Sequence, residues 1–412
     1  MLAHTSIGQD FLWAVQDGGG FSDEGYGIAV DDAGNSYISG YFGGTATIGD
    51  STFNAVGSFD IFIAKYDMNG NFLWAIQDGG GSNDQGYGIA VDDAGNSYTT
   101  GFFEGTATIG DSTFNAVGSK DILIAKYDMN GNFLWAVQDG GGSIDQGRGI
   151  AIDDAGNSYT TGFFEGTATI GDSTFNSVGD LDIFIAKYDV NGNFLWAVQD
   201  GDSSIDIGYG IAVDNAGNSC TIGFFEGTAT IGDSTFNSVG SNDIFIAKYD
   251  MNGNFLWAVQ DGGGSSDVGY GIAVDNAGNS YSTGGFRGTA TIGDSTFNSV
   301  GDLDIFIAKY DMNGNFLWAI QDGGGSTDIG RGIAVDDAGN SYTTGFFEGT
   351  ATIGDSTFNA VGSFDTFIAK YKGANLEQVP IPTLSQWGLI ILGLFISIFG
   401  VLGIRQRMVQ TA

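Results

Sequence analysis

Cysteine and histidine are almost missing from this chain: Cys220 and His4 are the only examples in 412 residues. A lone cysteine excludes a disulfide within the chain. Zinc sites of the Cys2His2 type, and Ser-His-Asp or Cys-His catalysis, call for residues the chain does not supply. The scarcity does not fix the compartment. Basic residues are scarce too, with 13 Lys and Arg against 49 Asp and Glu, a formal net charge of −36. That balance disfavours nucleic acid, whose phosphates call for clustered Lys or Arg. It also disfavours loose attachment to anionic lipid. A solvated acidic surface is the favoured reading, ahead of calcium binding or adaptation to high salt. Proline is found twice and glycine 71 times, which alone suggests a flexible chain. A content of 42% hydrophobic and 13% aromatic residues argues against disorder and is enough to bury a large core.

What the chain has is repetition. The segment FLW recurs with Trp13, Trp74, Trp135, Trp196, Trp257 and Trp318, each step being 61 residues without insertion or deletion. Six copies run from Phe11 to about Lys372. Periods of this size mark repeat architectures. In the copy that opens at Phe72, FLWAIQ (72–77), YGIAVD (87–92), SYTTGFF (97–103) and DILIAKYD (121–128) have strand length and are rich in β-branched and aromatic residues. DAGN around Gly95 reads as a tight turn, Gly110-Asp111 as the tip of a short hairpin, and Asn130-Gly131 as the strongest hairpin signal. No window before residue 380 shows helical periodicity with caps. Hairpins of four or more strands, repeated six times, fit a propeller better than a solenoid.

The expectation is therefore an all-β, six-bladed β-propeller over 11–372. Its first copy lacks the IFIAKYD strand that should precede FLWAVQ, and its last copy ends at DTFIAKY (365–371) without the FLWAVQ that should follow. Pairing these two strands would close the ring and remove the open edges. Blades are then expected near 25–77, 86–138, 147–199, 208–260 and 269–321, with the sixth made of 330–371 plus 11–16.

The recurring pieces GIAVDxAGNSY, GTATIG, D(I)FIAKYD and NGNFLWA resemble the bacterial β-propeller repeat family called SBBP, over residues 11 to 372. That resemblance implies a propeller on surface or secreted proteins and carries over no catalytic residue. The family's name implies seven blades, against six copies here.

Composition changes at Gly373. A linker (373–380) leads to IPTLSQWG and then to LIILGLFISIFGVLGI, uncharged from Trp387 to Ile404. Those residues make roughly 27 Å of helix, just enough to span a hydrocarbon core. Arg405 and Arg407 follow, so the positive-inside rule puts the repeats on the far side of the membrane. The region 381–408 resembles the IPTL-CTERM sorting tail, a relative of PEP-CTERM tails, through Ile381, Pro382, Thr383, Leu384, Ser385, Trp387, Gly388, Arg405 and Arg407. The resemblance implies a sortase-like, exosortase-type membrane protease as partner, cleavage near the motif, and delivery to the cell envelope or beyond. MLAHTSIGQD has neither the basic nor the apolar run of an export signal, so the expectation is a chain shortened at its N-terminus.

Within the repeats, Lys65, Lys126, Lys187, Lys248, Lys309 and Lys370 share one position. A structural ion pair is expected there, with the loop aspartates Asp23, Asp84, Asp145, Asp206, Asp267 and Asp328 as candidate partners. DMNGN and DDAGN loosely resemble calcium loops, but turn chemistry alone explains them and the bidentate Glu of an EF-hand is lacking; no cofactor is expected, Ca2+ being the outside candidate. The DGGG segments lack the Lys-Ser/Thr of a phosphate loop.

Four columns vary among otherwise near-identical copies. One reads Tyr26, Tyr87, Arg148, Tyr209, Tyr270, Arg331, and it is the candidate recognition face. The others read Glu24, Gln85, Gln146, Ile207, Val268, Ile329; Gly43, Glu104, Glu165, Glu226, Arg287, Glu348; and Phe59, Lys120, Leu181, Asn242, Leu303, Phe364. Cys220 stands where other copies carry Tyr and reads as a tolerated substitution. The reading favoured overall is a non-catalytic surface or secreted scaffold for binding, adhesion or matrix assembly, with an unknown extracellular ligand. The alternative is a propeller hydrolase or lyase using carboxylates around a central channel. Near-identical copies argue against it, because a catalytic centre normally breaks the repeat in one place.

Overall fold

The computed structural model describes residues 12–373. They form strands and turns without a helix, so none of them makes a helix long and apolar enough to cross a membrane. The membrane helix expected at 387–404, with the rest of the sorting tail, lies outside the described residues.

Each repeat folds as an antiparallel meander. In the second copy, the inner strand Gln85–Val91 pairs with Ser97–Phe103, which pairs with Asp121–Tyr127, which pairs with Phe133–Gly141. The middle strands Ser97–Phe103 and Asp121–Tyr127 are buried at every residue. This is why they read as near-continuous apolar and small runs rather than as a clean alternation. The connection at Asn130-Gly131 is a three-residue loop. Asp128 N donates to Asn132 O at 2.8 Å, and Gly131 N to Asp128 O at 2.9 Å. Gly131 alone takes a positive φ (+80°). The turn is thus a type I turn closed by a left-handed glycine, not the two-residue form that Asn-Gly most often signals.

The short hairpin Thr106–Ile109 and Ser112–Asn115 does not join the sheet of its own repeat. Its first strand pairs with Gly79 and Gly80, at the end of the preceding meander's fourth strand, Phe72–Gly80. A Cβ on Gly80 would lie 1.9 Å from the Thr106 carbonyl oxygen, so only glycine permits this join. The same join recurs between successive copies along the array.

No sheet owns its core. Tyr98, Ile122 and Ile124 of the second copy pack with Ile150, Phe164, Ile170, Phe184 and Tyr188 of the third, and Trp135 flanks the cluster. Equivalent clusters fill the other junctions. Stability therefore lies mainly between repeats, as in other repeat architectures.

The expected ring closure is not what the structure shows. The last long strand, Asp365–Tyr371, pairs only with Ser341–Phe347 among the described residues. Residues 12–16 form no ladder. They are held instead by the first copy: Trp13 Nε1 donates to Met68 O at 3.0 Å, and Asp17 accepts from Gly49 N at 2.7 Å. One repeat later, Trp74 and Asp78 make the same contacts with Met129 and Gly110. The physical reason is locality. FLWAVQD is anchored by the turn and hairpin of the repeat that follows it, whereas pairing with Asp365–Tyr371 requires the two ends of the array to meet. They do not: Ile28 is 71% exposed at one end and Ile368 78% at the other.

Candidate functional site

The inner strands of all six copies face a common central cavity, and a β-bulge in each decides what they show it. In the first copy, Gly25 pairs with Gly40 and Gly27 with Ser39, so Tyr26 is the extra residue between two ladder positions. The same shift isolates Tyr87, Arg148, Tyr209, Tyr270 and Arg331. A bulge removes one residue from the ladder and re-aims its side chain. The flanking glycines of GYG and GRG make that possible, and the sequence reading missed their meaning.

The six bulge residues, with Glu24 and Gly25, line a cavity of about 640 Å³. They form one continuous stack. Tyr26 and Tyr87 meet edge to face with centroids 5.0 Å apart. The Arg148 guanidinium lies 4.3 Å from the Tyr87 ring centre and 5.9 Å from that of Tyr209. Tyr209 and Tyr270 are 5.0 Å apart, and Arg331 lies 4.0 Å over Tyr270. Beyond this layer the cavity continues past Ile28, Ile89, Ile150, Ile211, Ile272 and Ile333, an apolar floor. Burial pushes the Tyr26 and Tyr209 hydroxyls above their ordinary range; a hydrogen bond to Glu24 adds to the rise at Tyr26. The Tyr26, Tyr87 and Tyr209 phenols thus stay protonated donors at neutral pH.

Charge separates this layer from the rest. Among the described residues, neither Arg148 nor Arg331 has a carboxylate within 4.0 Å, whereas every repeat lysine is paired. Arg148 Nε is buried and makes no hydrogen bond. Of the other variable columns, Glu24 reaches the cavity and Ile207 is buried beside Phe163 and Phe224. The Gly43 and Phe59 columns meet elsewhere: Lys120 lies 3.8 Å from Glu104 and 4.1 Å over the Phe102 ring, while Arg287 Nε donates to Asp302 O.

The repeat lysines do form structural ion pairs, but with a different aspartate from the one expected. Lys187 Nζ lies 3.3 Å from Asp153 and 4.4 Å over the Tyr159 ring, and Lys65, Lys126, Lys248, Lys309 and Lys370 pair likewise with Asp31, Asp92, Asp214, Asp275 and Asp336. Asp145 and Asp153 lie at opposite ends of the same inner strand, roughly 25 Å apart at strand rise, so one lysine cannot serve both. The loop aspartates instead tie backbone: Asp84 accepts from Gly80 N at 2.6 Å and Glu104 N at 2.9 Å. A second buried set closes the hairpins, with Asp78 accepting from the Tyr127 hydroxyl and from Gly110 N. Burial pushes Asp78 and Asp84 up to about 6 and Asp145 and Asp206 up to about 7, against the lowering effect of these hydrogen bonds.

The turns read as loose calcium loops are self-satisfied. Asp67 accepts from Asn69 N, Asn71 N and Asn71 Nδ2, each at 2.8 Å. No cluster of three potential metal ligands occurs among the described residues. Cys220 is fully buried, and burial pushes its thiol up to about 12. With no ring there, Lys248 approaches Asp214 to 2.8 Å and donates to Gly278 O, the place a tyrosine hydroxyl fills in other copies.

Meander sheets in tandem, packed inner strand to inner strand around one cavity, define a β-propeller-like repeat protein. The family models agree. The beta-propeller repeat family, SBBP, matches at 12–41, 73–101, 134–162 and 317–345, and the IPTL-CTERM motif matches at 379–407. The matches at 73–101, 134–162 and 317–345 each start on a fourth strand and end on the second strand of the next meander, across the stitched join. A WD repeat-containing protein of Acanthamoeba polyphaga mimivirus is 26% identical over 87% of this chain, which spans about a third (33%) of that relative's length. Similar solved structures include a protein from Bacteroides caccae (11% identity, 73% of this chain and 82% of that one, TM-score 0.37). The Neurospora crassa Pan2 WD40 domain is another (10% identity, 78% and 75%, TM-score 0.36).

Proposed function

We propose that this chain is a non-catalytic binding propeller of the cell envelope, delivered by its C-terminal tail and acting as an adhesion or matrix scaffold. The observation that carries the binding role is the bulge column. It is a polar column that breaks the repeat, and all six of its members line one cavity. Side chains that only held the fold would recur unchanged, as the Lys–Asp pairs do. The IPTL-CTERM motif supports delivery outside the cytoplasm, with the apolar span 387–404 as a single membrane helix and an exosortase-type protease as the processing partner. The enzyme reading loses support at the cavity: Glu24 is the one carboxylate among its lining residues. The aspartates with raised pKa recur from repeat to repeat and are bonded to backbone amides or tyrosine hydroxyls.

Protease shaving of intact native cells, with intact-mass analysis of the product, tests this reading. A repeat array accessible from outside, with its mass shortened near Pro382–Leu384, is expected. A full-length product shielded in the cytoplasm contradicts it.

A further inference from the structure

We infer that the central cavity is a receptor for a ligand carrying at least two carboxylates, held by Arg148 and Arg331. This rests on the binding role proposed above and names its ligand chemistry.

The observations converge on an anion. The chain carries 49 acidic and 13 basic residues, yet the six positions that converge on this cavity hold two arginines and no acid. Among the described residues neither guanidinium is neutralised by a neighbouring carboxylate, although carboxylates are abundant everywhere else. An unpaired cation inside a strongly acidic protein focuses potential for anions at one place. Arg148 is stacked between Tyr87 and Tyr209, and Arg331 over Tyr270. A guanidinium lying over a ring face can still offer in-plane N–H groups to a ligand. That fork matches the two oxygens of a carboxylate.

Two arginines set the valence. They stand three repeats apart in sequence and flank Tyr209 and Tyr270 in the stack. Each guanidinium can take one carboxylate, so a ligand with two carboxylates can engage both. The tyrosines between them offer faces to an apolar surface and hydroxyls to polar groups. Two sources carry this chemistry, an acidic oligosaccharide and an aliphatic polycarboxylate. Glu24, beside Tyr26 in the cavity lining, repels anions and so favours the arginines as the place where carboxylates settle.

The test is calorimetric titration of the full chain in detergent with trigalacturonate, with tricarballylate, and with a neutral galactose trisaccharide. Binding of either acid and not of the neutral sugar is expected, and the tighter acid names the source. Arg148→Gln and Arg331→Gln should each weaken binding at least about tenfold. Arg331 is exposed, so its replacement leaves folding intact. Arg148→Lys should recover part of the loss by restoring charge without the fork. Arg287→Gln, away from the cavity, should change nothing. No binding of either acid, equal binding of the neutral sugar, or indifference to both arginine replacements overturns the inference. Failure here leaves envelope delivery standing, and a cytoplasmic protein that still binds the acids refutes the delivery alone.

Discussion

Ile185 and Ile368 occupy the same place in the third strand of their repeats, yet Ile185 is fully buried and Ile368 is 78% exposed. The inner strands repeat the contrast, with Ile211 8% exposed and Ile28 71%. Within the array, a repeat's apolar face is covered by its neighbour; at the ends nothing among the described residues covers it. The last copy registers the difference in sequence. Thr366 stands where Ile61, Ile122, Ile183, Ile244 and Ile305 fill the earlier junctions, and polar replacement is typical of a terminal repeat. The comparison teaches that these residues do not stabilise the meander they belong to. They stabilise its contact with the next one.

Substitution should break that symmetry most strongly. Ile185→Ala removes a fully packed side chain and is expected to cost about 3 kcal/mol. Ile368→Ala should stay within about 0.5 kcal/mol. Urea unfolding of both variants checks the pair, and equal losses would mean that the end is covered after all.

Acidity should sharpen the same picture, because the stitched joins hold buried aspartates. Asp78, Asp139, Asp200 and Asp261 are pushed up to about 6 by burial, and Asp145 and Asp206 to about 7. In the unfolded chain they titrate near about 3.9. Between those values the native state binds more protons than the unfolded one, so stability falls as pH rises from about 4 through 6 to 7. The opposite sign holds for Asp92. Burial raises it, but the Asn96 amides and the Lys126 ammonium together leave it below the usual carboxylate value, and its contribution is lost only at more acid pH. The thermal midpoint should therefore be higher near pH 5 than near pH 8. A midpoint that climbs steadily toward pH 8 would count against the buried, protonatable joins.

A smaller effect is expected where one copy departs from the others. Cys220→Tyr should restore the ring under Lys248 and stabilise the array by about 1 kcal/mol. In the native protein the Cys220 thiol should resist alkylation, since it is fully buried and its pKa is pushed up to about 12. Thermal scans and a thiol-labelling time course check both statements.

Much of this was legible in the sequence. The 61-residue period, the strand segments, the glycine turns and an ion-paired lysine all follow from local pattern. The rest depends on what local pattern does not carry. Asp153 and Asp145 look equally available to Lys187 until the strand between them is given its length. The hairpin TATIG…STFN reads as part of its own repeat, because only the tertiary join at Gly80 shows that it completes the previous sheet. Closure by FLWAVQ was inferred from what the end copies lack, while its actual anchors, Met68 and Gly49, lie in the first copy. The bulge had a signal that went unread: glycine on both sides of one variable residue, in every inner strand, marks a side chain taken out of the ladder.

The central claim is that constant positions hold the array and the bulge column recognises. The most direct measurement is urea unfolding of the full chain and of an Arg148→Tyr, Arg331→Tyr double variant, each with and without trigalacturonate or tricarballylate. A ligand that binds only the native state raises the midpoint. Coincident midpoints without ligand, and a shift with ligand in the parent alone, are predicted. A variant that unfolds earlier without ligand, or that shifts as far as the parent with it, would contradict the account.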